Sequence, residues 1–150
     1  LLNTRFSNLK NKQNPKRIIL NFESELPLDL KILKNDGIST IVFSKNKQIL
    51  DTHIKQYILP TNNFETNFNF LLKKLYEENI HHVLIEPGAI LIKNILNTRL
   101  FDELCLLTSP NEIKNGYKWK GIKNEKLKLI EKKKIGDDWL EEYNNDVINN

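Results

Sequence analysis

The sequence lacks most of the features that mark secreted and membrane proteins. Its 150 residues include one cysteine, Cys105, so no disulfide can form within the chain, as is typical of a reducing compartment. No run of about 18 apolar residues is present, and the first residues are too polar for a signal peptide. We therefore expect a cytoplasmic protein with no membrane partner.

Methionine is also absent, even at position 1, and no internal repeat or linker rich in proline, glycine and serine is visible. Hydrophobic residues make up 39% of the chain and charged residues 28%, a balance typical of a globular protein. These features predict one domain over residues 1–150, and the abrupt start predicts that this domain is incomplete at its N-terminus.

The formal net charge of +4 does not by itself indicate a nucleic-acid partner. The 23 lysines and arginines are scattered among 19 acidic residues, and no basic stripe stands out. We expect no nucleic-acid binding.

Apolar patterning predicts alternating strands and helices. Six residues from Phe64 to Tyr76 recur at helical spacing, so a helix is expected, with Asn62 and Glu65 as a capping box and an end near Asn79. A second helix is expected over 88–97. Apolar and β-branched runs predict strands at 16–21, 38–44, 57–59, 82–86 and 103–109.

The last part of the chain predicts a hairpin, with strands 127–135 and 139–143 around Gly136. Strand 82–86, helix 88–97 and strand 103–109 together predict a βαβ unit with two parallel strands. The predicted fold class is therefore α/β, with a mixed, mostly parallel sheet, helices on both of its faces and a C-terminal antiparallel hairpin.

One turn combines two kinds of binding chemistry. Ligands of open α/β sheets lie beyond the carboxyl ends of the strands, and Glu86-Pro87-Gly88-Ala89 lies at such an end. The N–H groups at the start of the following helix can bind a phosphate, whereas Glu86 repels it and can accept hydrogen bonds from a sugar or base. A purely structural role is the more common interpretation of such a turn, with Gly88 serving the turn itself and Glu86 accepting nearby backbone N–H groups.

The order of several short motifs adds a resemblance. Ile85-Glu86-Pro87-Gly88-Ala89, Leu100-Phe101-Asp102-Glu103-Leu104 and Ser109-Pro110 follow one another along the chain. Together with Asn14-Pro15-Lys16-Arg17 upstream and Ile135-Gly136-Asp137-Asp138 downstream, they resemble the reductase domain of the bifunctional riboflavin-biosynthesis deaminase/reductase. Three residues differ from the usual pattern of that family. Asn21 replaces an Asp, Phe22 replaces a Ser or Thr, and Pro87 replaces a Gly or Ala.

The resemblance implies a dihydrofolate-reductase-like fold and NADPH-dependent reduction of a phosphoribosylamino-pyrimidine, an aminouracil, to its ribitylamino form. It implies a homodimer and a deaminase domain upstream. It also implies substrate contacts from Leu2, Arg5 and Glu86, with Arg5 suited to the substrate phosphate because its guanidinium can bond two oxygens. The implied cofactor-binding residues are Phe22, Gly88, Ala89, Ile90, Leu91, Ile92, Lys93 and Asn94.

Two further interpretations remain open. The chain could be a related reductase of the same fold with another substrate, such as a pterin, or a non-catalytic remnant that serves in interactions. No side-chain nucleophile is expected, because the nicotinamide carries the hydride. We also expect that residues 1–150 alone would not turn over substrate.

Other conspicuous residues are assigned structural roles. His81 and His82 are adjacent and would face opposite sides of a strand, so no metal site is expected there. Cys105 is expected to be buried in its strand, and Lys132-Lys133-Lys134 to form a solvated sheet edge. Trp119 and Trp139 are expected in the core or at its rim.

Overall fold

A computed structural model describes residues 14–22, 25–117 and 127–145. The chain divides into an N-terminal unit, up to His81, and a C-terminal unit, from His82 onward. The N-terminal unit contains β1 (Arg17–Asn21), β2 (Thr40–Ser44), β3 (Ile54–Ile58) and α1 (Phe64–Glu77), with a 3-10 turn at Lys31–Leu33. The C-terminal unit contains α2 (Ala89–Thr98), β4 (Glu103–Thr108), β5 (Leu127–Ile135) and β6 (Asp138–Asn145).

The N-terminal unit is built on a parallel sheet in the order β1-β2-β3. Thr40 of β2 pairs with Arg17 on one side and Ile54 on the other, and the same register continues to Ser44. All five residues of β2 are buried, which is the behaviour of a central strand covered on both faces. The predicted strands at 16–21 and 38–44 are thus confirmed, and β3 begins and ends slightly earlier than predicted.

Helix α1 confirms the predicted helix in this region. Its buried face carries Phe68, Leu71 and Leu75, at the spacing that predicted it. The cap differs from the prediction: Asn63, not Asn62, accepts the N–H of Thr66 at 2.9 Å, because Asn63 immediately precedes the first helical residue. The helix ends at Glu77, and Asn79 takes the left-handed conformation (φ 57°) two residues later.

Buried Arg17 joins the start of β1 to the turn before β2. Arg17 is 1% exposed, and its guanidinium donates to both carboxylate oxygens of Asp36 at 2.9 and 2.7 Å. Gly37 follows with φ 81°, a conformation that favours glycine, so the predicted Asn35-Asp36-Gly37 turn is confirmed. The Arg17 hydrogen bonds hold the pKa of Asp36 below its usual value.

Asp36→Asn is expected to lower the Tm at neutral pH, because it removes the charge that balances a buried guanidinium. The lowered pKa of Asp36 means that its contribution is fully present above its unfolded pKa of about 4 and is lost as pH falls through its folded pKa. The Tm difference between wild type and variant should therefore shrink below about pH 4. Thermal melts from neutral to acid pH test this, and a difference that is constant with pH would contradict it.

The C-terminal unit contains an antiparallel sheet in the order β4-β6-β5. The predicted hairpin is confirmed: Ile135 pairs with Asp138 across a turn in which Gly136 has φ 63°. Among the described strands β5 lies at an edge, where Lys132 contacts Glu141 and the Trp139 ring, and Lys133 contacts Glu131. Trp139 is 44% exposed, so it lies at the rim and not in the core, while Trp119 lies outside the described residues.

The predicted βαβ unit is wrong. Residues 82–86 form no strand, and exposure alternates along them, with Leu84 87% exposed. The apolar, β-branched composition of this segment predicts a strand, but a strand also needs a hydrogen-bonded neighbour, and no described strand pairs with it. β4 pairs antiparallel with β6 instead, and Cys105, expected to be buried, is exposed.

Helix α2 confirms the predicted helix over 88–97, with both ends one residue later than predicted. Ile95 is its buried residue, and Arg99 ends it in the left-handed conformation (φ 57°). The Nδ2 group of Asn145, at the end of β6, donates to the carbonyls of Arg99 and Phe101 at 2.9 and 2.8 Å. This fixes the connection between α2 and β4. None of the helices in the described residues has the length and apolar character needed to cross a membrane.

Candidate cofactor and substrate site

The start of α2 is chemically suited to an anion. Gly88 precedes the first helical residue, and no side chain caps the helix there. The first intrahelical bond runs from the N–H of Ile92 to the carbonyl of Gly88 at 3.0 Å, so the N–H groups of residues 89–91 have no acceptor within the helix. The first turn carries no acidic residue, and the helix dipole adds positive potential. These donors fit one phosphate of a dinucleotide.

The backbone at Gly88 is open to solvent. A Cβ placed on Gly88 would meet no atom within 4 Å, and its φ of −74° is accessible to any residue. Glycine is therefore not required here by backbone strain. Because Gly88 has no side chain and no atom lies near its Cβ position, the N-terminus of α2 is accessible to a ligand.

Glu86 lies two residues before this helix start. It is exposed, and within the described residues no hydrogen bond or ion pair occupies its carboxylate. A free carboxylate accepts N–H and O–H groups but repels phosphate, so it adds a second, different recognition element beside the helix start. The absence of a structural partner leaves this carboxylate available for a ligand.

Phe22 belongs to the N-terminal unit and follows the last residue of β1. Its ring is half-buried and lies 5.4 Å from the ring of Phe64, the first residue of α1. Phe64 stacks in turn on buried Phe68 at 5.4 Å. This aromatic row fixes Phe22 at the carboxyl end of the parallel sheet. A hydroxyl contact from this position is chemically unavailable, but contacts from its ring or backbone remain.

The predicted site residues therefore fall into three groups. Glu86 and the segment Gly88–Asn94 are contiguous in the C-terminal unit, and Phe22 is in the N-terminal unit. Leu2 and Arg5 lie outside the described residues. Within those residues no group of three or more side chains of the usual metal-ligand types lies together.

Sequence reasoning missed a polar network that joins the carboxyl end of β2 and the segment after it to the middle of β3. The Nε2 group of Gln56 donates to Ser44 Oγ at 2.7 Å and to the Asn46 carbonyl at 3.2 Å, and Ser44 Oγ donates to the same carbonyl at 2.9 Å. The backbone N–H of Gln48 donates to Gln56 Oε1 at 3.3 Å. No short motif signals this network, because its members come together only when β2 and β3 pair.

The strongest charge cluster of the N-terminal unit is structural. Glu78, just after α1, accepts from Lys55 and, at 2.6 Å, from the Tyr57 hydroxyl. These hydrogen bonds lower the pKa of Glu78, and the bond to Glu78 raises the pKa of Lys55. All three side chains thereby have hydrogen-bond partners beside the C-terminal end of α1.

These observations define the class of the domain as a mixed α/β fold of the dihydrofolate-reductase-like type. Solved structures confirm that fold. The deaminase/reductase of Thermotoga maritima superposes with a TM-score of 0.72 at 21% identity, over 92% of this chain and 40% of that chain. A RibD structure from Acinetobacter baumannii gives a TM-score of 0.73 at 24% identity, over 94% of this chain and 41% of that chain.

The family follows from the sequence comparisons. The model of the RibD C-terminal domain matches residues 1–140, and the chain belongs to that family. It is 31% identical over 136 residues to the riboflavin biosynthesis protein RibD of Aquifex aeolicus, covering 85% of this chain and 38% of that protein. It is 30% identical over 140 residues to the 5-amino-6-(5-phosphoribosylamino)uracil reductase of Buchnera aphidicola, covering 86% of this chain and 68% of that protein.

Proposed function

We propose that this chain is the reductase domain that converts 5-amino-6-(5-phosphoribosylamino)uracil to its ribitylamino form in riboflavin biosynthesis, with NADPH as the reductant. The observation that carries the proposal is the uncapped, acid-free start of α2 next to the unpaired carboxylate of Glu86. The choice of reaction is supported by the family, because the Buchnera relative is named as this uracil reductase.

In this proposal each part of the site has one role. The N–H groups at the start of α2 bind a phosphate of the cofactor, and the other residues of Gly88–Asn94 contribute further cofactor contacts. Phe22, which follows β1, is also a cofactor contact. Glu86 accepts hydrogen bonds from the sugar or base of the substrate. Leu2 and Arg5 complete the substrate contacts, with Arg5 on the substrate phosphate. When bound, the reduced nicotinamide supplies the hydride, and the protein contributes positioning.

The proposal includes a cytoplasmic homodimer. Within the described strands, β4 and β5 are the two edges of the antiparallel sheet, and Leu107 on β4 and Leu129 and Ile135 on β5 are about half exposed or more. Exposed strand edges with apolar side chains favour pairing with a second sheet. The C-terminal unit is therefore the part of the chain that we propose to form the dimer.

The activity is tested by following oxidation of NADPH by the full-length protein in the presence of the aminouracil substrate. Glu86→Gln is expected to lower kcat/KM by roughly tenfold to a hundredfold, because a hydrogen bond to a charged group contributes about 1.5–3 kcal/mol. The affinity for NADPH, measured by titration, should stay within about twofold, since Glu86 is assigned to the substrate and not to the cofactor phosphate.

Glu112→Gln is the matched control, because Glu112 is also an exposed glutamate of the C-terminal unit. It should leave kcat/KM unchanged. An equal loss in both variants would mean that general charge, and not Glu86, determines substrate use. Absence of aminouracil-dependent NADPH oxidation in the wild type would refute the proposed function.

A further inference from the structure

We infer that Lys45 and Lys47 bind the ribose 2′-phosphate of NADPH and thereby make this domain prefer NADPH to NADH. The inference rests on the proposed function, which it deepens by assigning cofactor selectivity to two residues. Both lysines lie in the N-terminal unit.

The two lysines lie where a parallel sheet binds ligands. Lys45 follows Ser44, the last residue of β2, and β2 is the central strand of the sheet. Asn21, the last residue of β1, pairs in register with Ser44, so Phe22 and Lys45 leave neighbouring strands side by side, about 5 Å apart in the backbone. Crevices beyond the carboxyl ends of such strands are the general ligand site of open α/β sheets.

The polar network of Ser44, Gln56 and Gln48 holds the turn that carries the lysines. The Asn46 carbonyl, between the two lysines, accepts from both Ser44 Oγ and Gln56 Nε2. Ser44 is 1% exposed, so this anchor is inside the sheet, whereas Lys45, Asn46 and Lys47 are exposed. The turn is therefore fixed from within, and its two ammonium groups are presented to solvent.

Both charges are available to a ligand. Across the described ranges no carboxylate pairs with Lys45 or Lys47, whereas Lys55, Lys74 and Lys132 each contact a glutamate. The carboxylate next to this turn along the chain contact is that of Glu25, because the following residue, Leu26, donates its N–H to the Gln48 side chain. Glu25 makes no ion pair in the described part of the chain. Two unpaired ammonium groups one residue apart match a phosphate monoester that carries close to two negative charges.

The experiment uses adenosine 2′,5′-bisphosphate, a fragment that carries the 2′-phosphate without the nicotinamide, and adenosine 5′-monophosphate, which lacks it. Isothermal titration of the full-length protein should show that the bisphosphate binds at least tenfold tighter. The double variant Lys45→Ala/Lys47→Ala should weaken bisphosphate binding by about tenfold or more, as loss of charged hydrogen bonds predicts, and leave monophosphate binding within about twofold.

The control is Lys31→Ala/Lys34→Ala, which removes the same charge from the opposite, amino end of the strands, where both lysines are exposed. It should keep the bisphosphate preference, and Lys45→Arg/Lys47→Arg should retain most of it. A preference that survives in Lys45→Ala/Lys47→Ala, or that falls equally in the control, would overturn the inference. Thermal melts of all variants show whether each is folded.

Failure of this inference is distinguishable from failure of the proposed function. A wild-type protein that reduces the aminouracil equally well with NADH and NADPH would retain the function and overturn the inference. Tight, lysine-dependent binding of the bisphosphate without aminouracil reduction would support the phosphate site at Lys45 and Lys47 and refute the proposed function.

Discussion

Gly88→Asp is expected to raise the Kd for NADPH roughly tenfold to a hundredfold while leaving the domain at least as stable as the wild type. Asp would place a negative charge at the helix start proposed to bind a cofactor phosphate, and like charges repel there. The fold should tolerate the change, because a Cβ at this position meets nothing within 4 Å and the φ of −74° suits any residue. Asp is also a better N-cap than Gly, by a few tenths of a kcal/mol.

Gly88→Asn is the matched control, since Asn has the same shape and capping ability without the charge. Titration with NADPH and thermal melts of both variants separate binding from stability. If Asn weakens binding as much as Asp, the effect is steric and the phosphate assignment at α2 fails. If neither variant changes the Kd, the cofactor does not contact this helix start.

Phe68→Ala should destabilise the N-terminal unit by about 3–5 kcal/mol, a large part of the roughly 5–15 kcal/mol that holds a typical domain folded. Phe68 is 1% exposed and stacks on Phe64, so its removal leaves a cavity beneath the aromatic row that ends at Phe22. Equilibrium denaturation in urea measures the loss.

Tyr76→Ala on the same helix is the comparison, because Tyr76 is 68% exposed, and its replacement should change stability by no more than about 0.5 kcal/mol. Similar losses for Phe68→Ala and Tyr76→Ala would mean that α1 contributes through its helix and not through its buried face. Phe68→Leu, which refills part of the cavity, should recover a fraction of the lost stability.

Local patterns predicted the elements whose partners are also local. The apolar spacing from Phe64 to Leu75 defined α1, and Gly136 with its flanking strands defined the hairpin, because helix faces and tight turns are determined within a few residues. The capping residue was displaced by one position, since Asn62 and Asn63 are chemically equivalent and only the helix start distinguishes them.

Features that depend on distant partners were not predictable in the same way. Residues 82–86 have the composition of a strand, but pairing is a property of two segments, and composition describes one. The Arg17–Asp36 pair joins residues that share no motif. Lys45 and Lys47 look like ordinary surface charges in the sequence, and only the order of the sheet places them at the carboxyl end of its central strand.

The candidate site also has a part that local sequence predicted and a part that it did not. The turn at Glu86 and Gly88 could be recognised because contiguous residues carry both of its chemical elements. The role proposed for Phe22 came from a resemblance, since a phenylalanine after a strand does not by itself indicate a binding site, and the structure shows only its ring contact with Phe64.

The sequential strand order of the N-terminal unit also bears on how the chain folds during synthesis. β1, β2 and β3 lie side by side in the order in which they are made, and α1 follows directly, so every strand of this sheet meets its partner as soon as the next strand leaves the ribosome. In the antiparallel sheet, by contrast, β4 is separated from its partner β6 by β5, so β4 must wait for the end of the hairpin. Synthesis in this order should therefore complete the parallel sheet first and leave β4, whose partner β6 is made after β5, exposed longest to misassembly, with Leu107 and Cys105 on its surface.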